Sequence, residues 1–304
     1  MSARGLLALL ALVPAGCVSA EAHEDAASAW NEEIVFPDQC EDWDDWDKPA
    51  DPFRVFGNTY YVGTCGIAAL LVTGSEGHVL IDTGTAAGAR AIMDNIAAVG
   101  VDMADVKVLL HSHEHFDHVG GMAAIQRASG AAVFPSPQAL EVIRTGQENP
   151  SDPQAGMHEA MEQVANVQEG LVPFPAEDAH PIYLGDLEMK AWATPGHTPG
   201  ALTWQWESCE DAVCRTIVYA DSLSPVSADD YRFSEHPEYL AAYREGLRNL
   251  AALDCDILLT PHPSASGMRD KLLADDIASG MNCREYAASV EARLDERLAK
   301  EKAQ

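Results

Sequence analysis

Val106-Lys107-Val108-Leu109-Leu110-His111-Ser112-His113-Glu114-His115-Phe116-Asp117-His118-Val119-Gly120-Gly121 is the stretch from which the rest of the chain can be read. The run from Val106 to Leu110 predicts an apolar strand, and the segment from Gly120 to Ala128 predicts a helix stopped by Gly130. Between them, eight residues carry four histidines and one aspartate. Imidazole and carboxylate are the donors that borderline metals take. In an extended segment side chains two apart point the same way, so His113 and His115 can converge on one ion. Asp117 and His118 follow at a turn and can aim at a second ion. Chance would produce H-x-H-x-D-H in roughly one chain per thousand of this composition. Strand, metal loop and helix in that order place the site where strands end in an α/β fold.

Working outward, Thr59 to Val62, Ala68 to Thr73 and His78 to Asp82 predict short strands joined by glycine-containing turns. Ala86 to Val99 has helical spacing and ends at Gly100. Gln138 to Arg144 reads as a helix, and residues 146–156, with prolines at 150 and 153, as a loop that could rim the site. Strands resume at Leu187 to Ala193, Leu202 to Glu207 and Thr216 to Ala220. A helix from Pro237 to Leu253 carries Leu240, Tyr243, Leu247 and Leu250 on one face. Asp256 to Thr260 predicts a last strand, and Cys283, Ala287, Val290, Leu294 and Leu298 mark a terminal helix. Strands then helices, twice over, predict two packed sheets with helices outside, in one domain.

Charge and the N-terminus bound the function. The chain has 304 residues, with 19 basic against 48 acidic side chains and a net charge of −29. Such a surface repels phosphate backbones, which argues against nucleic acid as substrate or partner. Residues 1–20 read as an export signal, with Arg4 ahead of the apolar run Leu6 to Val13. Two cleavage sites compete. Val18-Ser19-Ala20 suits ordinary signal peptidase, and Pro14-Ala15-Gly16 before Cys17 resembles a lipobox without its usual leucine, which would anchor the protein to a membrane through a lipid on Cys17. Residues 21–52 read as an irregular arm over a body of residues 53–304. Of seven cysteines, Cys17 is the odd one, and the other six allow fifteen pairings. Cys209 with Cys214 fits a hairpin bridge, and Cys40 with Cys65 and Cys255 with Cys283 are the next-neighbour choices. A cysteine metal site lacks any close C-x-x-C pair.

Two further histidines sit in rigid loops. His197 lies within Thr194-Pro195-Gly196-His197-Thr198-Pro199-Gly200, whose prolines and glycines fix an unusual backbone path, and His262 lies between Pro261 and Pro263 just after a strand. These motifs, with H-x-H-x-D-H and Gly-Gly, resemble the metallo-β-lactamase superfamily. Phe56-Gly57-Asn58-Thr59-Tyr60-Tyr61-Val62-Gly63, Tyr219-Ala220-Asp221-Ser222-Leu223-Ser224 and Thr260-Pro261-His262-Pro263-Ser264 resemble the class B, subclass 3 β-lactamases, and the resemblance covers residues 53 to 282.

The resemblance implies a four-layer αββα sandwich and two zinc ions per subunit. His113, His115 and His197 would bind the first zinc, and Asp117, His118 and His262 the second. Asp117 would also orient the metal-bound hydroxide that opens the β-lactam amide of penicillins, cephalosporins and carbapenems, giving antibiotic resistance. Ser222 and Ser224 would anchor the substrate carboxylate, and Asp82 and Asp221 would orient ligands from behind. His111 falls outside the motif. The resemblance further implies a bacterial periplasmic enzyme, expected to be a monomer, with a small-molecule β-lactam as its partner. In the superfamily's thioesterases and lactonases an aspartate from the segment of Asp221 bridges the metals, so Asp221 tests the assignment, and a lactonase or thioesterase is the alternative.

Overall fold

The computed structural model describes residues 34–169 and 180–303. The expected export signal, Cys17 and the first part of the expected arm lie outside the described residues. After a short helix α1 (Phe36–Gln39) come strands β1 (Phe53–Phe56), β2 (Thr59–Tyr61), β3 (Leu70–Gly74) and β4 (Gly77–Ile81). Helix α2 (Ala89–Ala98) leads to β5 (Val106–Leu110), α3 (Phe116–Val119), α4 (Met122–Ser129), β6 (Ala132–Val133) and α5 (Leu140–Thr145). The second half runs β7 (His180–Leu184), β8 (Leu187–Ala193), β9 (Leu202–Glu210), β10 (Val213–Tyr219), α6 (Pro237–Ala252), β11 (Ile257–Leu259), α7 (Met268–Leu273) and α8 (Cys283–Lys302).

The strands form two mixed sheets, ordered β1-β2-β3-β4-β5-β6 and β11-β10-β9-β8-β7. Antiparallel hairpins build the first four strands of one and β7 to β10 of the other, whereas β5, β6 and β11 join in parallel. Strand alternation sorts the side chains into three apolar layers. Leu70, Val72, Val79, Ile81, Val108 and Leu110 meet Met189, Ala191, Trp204, Trp206, Ile217 and Tyr219 of the other sheet. Their neighbours Leu71, Leu80 and Leu109 face outward onto Ile92 and Ile96 of α2 and Met122 and Ile125 of α4. On the opposite side Val218 and Leu258 pack against Tyr243, Leu247 and Leu250 of α6 and Tyr286, Val290 and Leu294 of α8. Strands covered on both faces need near-continuous apolar runs, which is why β3, β5 and β11 lack clean alternation. The result is the αββα sandwich.

Some boundaries differ from expectation. Asp117 and His118 sit on the short helix α3 instead of a turn. The arm is not wholly irregular: α1 inserts Phe36 into the core between the sheets, edge-on to Phe53 and Tyr61. Disulfides join Cys40 to Cys65, Cys209 to Cys214 and Cys255 to Cys283. Among the described residues no helix is long and apolar enough to cross a membrane.

Candidate metal centre

Five strand ends from both sheets meet at one rim. Beyond β5 come His113, His115 and, on α3, Asp117 and His118; the β8–β9 turn carries His197, and the ends of β4, β10 and β11 give Asp82, Asp221 to Ser224 and His262. The rings of His113, His115 and His197 lie edge to face, with centroids 4.7–5.0 Å apart. His113, His115 and His197 can hold one ion, and His113, Asp117 and His118 form an adjoining group. His262 Nε2 lies 3.5 Å from Asp117 Oδ2, and His118 Nε2 lies 3.1 Å from the same oxygen. The cluster therefore places all six expected ligands side by side, while His111 is turned away, its Nε2 accepting from the Ser136 amide at 3.0 Å.

The outer nitrogens fix which face of each ring is presented. Asp221 Oδ1 lies 2.9 Å from His113 Nδ1, leaving Nε2 for the site. Asp152 Oδ2 lies 3.0 Å from His115 Nε2, which presents Nδ1. On His197, Nδ1 is 3.0 Å from both the Ser224 carbonyl and its hydroxyl, so Nε2 faces inward. Asp82 Oδ2 lies 3.3 Å from His118 Nδ1. Asp82 itself adopts φ 62°, a costly conformation for a residue with a side chain. Its carboxylate accepts from the Ser112 amide and hydroxyl at 2.6 and 2.7 Å and from Tyr219 OH at 2.8 Å, contacts that hold it there.

A metal fits this donor set. His113 Nε2 and His118 Nε2 are buried without a hydrogen-bond partner, and buried polar atoms are rarely left so. Burial drives His113 and His197 well below their usual pKa and His262 down to about 4, which keeps these rings neutral and their lone pairs available. On His118 burial is outweighed by Asp117 and Asp82, which push the ring up to about 10; two carboxylates make positive charge favourable there. Burial opposes ionisation of Asp117, but His118, with His262 and His115, holds its carboxyl well below the usual range. Burial pushes Asp221 up to about 8.

The segment after β10 is pinned from beneath. Tyr286 OH of α8 donates to the Ser222 carbonyl at 2.7 Å, Tyr243 OH of α6 donates to the Leu223 carbonyl, and the Leu223 amide donates to Asp221 Oδ2 at 2.9 Å. Ser222 Oγ is buried without a partner, whereas Ser224 Oγ rests on His197. Gly196 is required by contact: a Cβ there would stand 2.3 Å from the Tyr243 ring.

Sequence reading missed three neighbours. Glu114 is buried and bonded to the His197 loop. Asp152 comes from the 146–156 loop, so that loop buttresses a histidine as well as flanking the rim. Trp46 of the arm lies 5.7 Å from Phe116 and 5.9 Å from His262 by ring centroids and is partly exposed, forming an aromatic wall. No local pattern marks the first two; the tryptophans of the arm carried a weak aromatic signal.

Comparison with known proteins agrees with this geometry. The metallo-beta-lactamase superfamily model matches residues 62–262. The solved MIM-2 metallo-beta-lactamase is 56% identical over 91% of this chain and 98% of its own, with a TM-score of 0.80. MEM-A1, a subclass B3 metallo-beta-lactamase isolated from a soil metagenome library, is 40% identical over 85% and 99%, with a TM-score of 0.79. A hydroxyacylglutathione hydrolase of Anaeromyxobacter dehalogenans (strain 2CP-C) is 31% identical over 138 residues, 45% of this chain and 41% of that protein, so the chain spans under half of that relative's length. With its sandwich, its convergent histidines and well over half its length inside the family model, the chain belongs to the metallo-beta-lactamase superfamily and is a hydrolase.

Proposed function

We propose that this hydrolase opens the amide bond of β-lactams, that it holds two zinc ions per subunit, and that penicillins, cephalosporins and carbapenems are its substrates, giving antibiotic resistance. The observation that carries the reading is the meeting of three convergent imidazoles with an adjoining Asp117, His118 and His262 group, in a chain 56% identical to a metallo-beta-lactamase over nearly its full length. His113, His115 and His197 take the first zinc; Asp117, His118 and His262 take the second. Bound zinc supplies Lewis acidity for the amide carbonyl and a water made nucleophilic at neutral pH.

The protein's own groups do the rest. Asp117 stays ionised, so Oδ2 can accept a hydrogen bond from the attacking water and hold it in line. Ser222 Oγ, which has no protein partner, and Ser224 Oγ donate to the substrate carboxylate. Trp46 and Phe116 form an apolar wall at the rim against which a substrate can rest. Asp82 and Asp221 orient His118 and His113 from behind. Asp221 stands on the outer nitrogen of His113, which supports a lactamase over an enzyme whose aspartate from this segment bridges two metals.

The likeness to a hydroxyacylglutathione hydrolase keeps a thioesterase or lactonase as the second reading. Purified mature protein should hydrolyse a chromogenic cephalosporin, stop in chelator and recover with zinc. A thioester and a lactone assayed alongside decide between the readings, and failure with every β-lactam overturns the first. We further place the enzyme in the bacterial periplasm as a monomer, delivered by the signal of residues 1–20; loss of membrane attachment in Cys17→Ala would identify the lipoprotein form.

A further inference from the structure

Glu114 sits between two metal-facing histidines in sequence, yet its carboxylate points elsewhere. Oε2 accepts from the Thr198 hydroxyl at 2.6 Å and Oε1 from the Gly200 amide at 2.9 Å, and the side chain is buried. Thr198 and Gly200 follow His197 on the β8–β9 turn, in the other sheet. The fit is close: a Cβ on Gly200 would stand 2.7 and 2.8 Å from the two Glu114 oxygens. Two further contacts cross the same seam. Ser136 Oγ donates to the Gly200 carbonyl at 2.8 Å, and the Leu202 amide donates to the Ser112 carbonyl at 2.6 Å.

We propose that Glu114 is a positioning residue that locks the His197 turn against the segment carrying His113 and His115, and so sets the geometry of the three-histidine zinc site. The inference rests on the zinc reading given above. His113 and His115 come from one sheet and His197 from the other, so their mutual placement depends on how the sheets are registered. A tetrahedral ion tolerates only small errors in donor position. Of the side-chain contacts across this seam among the described residues, Glu114 alone holds the His197 turn at both Thr198 and Gly200, one residue and three residues past the histidine. Removing the carboxylate would leave a buried hydroxyl and a buried amide unpaired, which costs more than the bonds themselves contribute.

Comparison of Glu114→Gln with Glu114→Ala separates the clamp from the charge. Glutamine can accept from the Gly200 amide and donate to the Thr198 oxygen, whose hydroxyl rotates, so it keeps both contacts without a charge. Zinc affinity is read by competition with a chromophoric chelator, and ligand geometry by the visible absorption of the cobalt(II)-substituted protein. Glu114→Ala should bind zinc about 10- to 100-fold more weakly and shift the cobalt bands. Glu114→Gln should stay within about threefold of wild type with unshifted bands. An alanine variant that binds as tightly as wild type overturns the proposal, and so does a glutamine variant that loses as much as alanine. Should Glu114→Ala not fold, Thr198→Val removes one clamp contact at nearly constant volume; weaker zinc binding supports the proposal and unchanged binding overturns it. Wild type run in the same titration keeps the two readings apart, since absence of zinc binding there would refute the zinc assignment itself.

Discussion

Replacing Asp152 by alanine should weaken the zinc site proposed for His113, His115 and His197 without touching any of the three histidines. Asp152 is buried at the base of the 146–156 loop, where Oδ2 meets His115 Nε2 at 3.0 Å and Oδ1 accepts from the Gln154 amide at 2.7 Å. The first contact orients the ring and raises the basicity of the nitrogen facing the metal. Loss of such a partner typically lowers metal affinity about 10- to 100-fold, or ~1.4–2.7 kcal/mol. At fixed free zinc that is also the loss of zinc-linked stability. A protein of this size moves by about 2 °C per kcal/mol, so the zinc-induced gain in Tm should shrink by ~3–5 °C.

Thermal unfolding by circular dichroism, in chelator and in zinc-buffered solution, isolates the effect, because the direct structural cost of the substitution appears in both scans and cancels in their difference. Asp152→Asn should fall between wild type and alanine. Its amide offers one acceptor where two N–H donors, from His115 and Gln154, need one each. An alanine variant that is folded and keeps the full zinc-induced gain would refute the reasoning.

Three other outcomes are expected. His113→Ala should abolish hydrolysis of a chromogenic cephalosporin, whereas Ser222→Ala and Ser224→Ala should mainly raise KM; unchanged kinetics in the serine variants would remove their anchor role. Replacing both Cys40 and Cys65 by alanine opens a loop of 25 residues and should destabilise the chain by about 3.5 kcal/mol, visible as a lower denaturant midpoint. Lys271 is buried with its amine donating to the Leu258 and Met281 carbonyls, and burial pulls its pKa from 10.5 down to about 8. A folded pKa below the unfolded one means stability that is present above about pH 10.5 and lost as pH falls through 8. The stability of wild type minus that of Lys271→Met should therefore rise between about pH 8 and pH 10, and a flat difference would contradict the assignment.

The parts of the fold that could be read from sequence are those whose signal is local. Val106 to Leu110 read as a strand because five consecutive residues say so, and α6 and α8 read as helices because their apolar faces repeat over several turns. Strands β1, β6 and β7 escaped. Ala132–Val133 is two residues long and exists only through its pairing with β5, and β1 is a sheet edge whose pattern is too short to separate from the arm. Helix α3 escaped because a four-residue helix has no period to detect. Within the site the same distinction holds. The histidines announce themselves by type and spacing, but Glu114 and Asp152 act on partners 84 and 37 residues away, and a lone carboxylate in sequence looks like any surface acid. The Ser224 hydroxyl, expected to meet the substrate, also lies 3.0 Å from His197 Nδ1, a contact that depends on how the β10 end meets the β8–β9 turn.

That dependence points to why so much of the core lies directly beneath the metal centre. Trp204 fills the space between the sheets and donates its indole N–H to the His111 carbonyl at 2.7 Å, and Tyr219, from the same sheet, reaches across to Asp82 at 2.8 Å. Both residues are fully buried, so each ties the packing of the sandwich to the backbone that positions a metal-facing group. A shift of one sheet against the other would move His197 and Asp221 relative to His113, and Asp82 relative to Tyr219, in a single motion. Close packing resists such a shift because the interior has no spare volume to absorb it. The precision that a metal site demands is thus supplied less by the loops that carry the histidines than by the seam between two sheets, where the same side chains hold the fold together and set the distances at the rim.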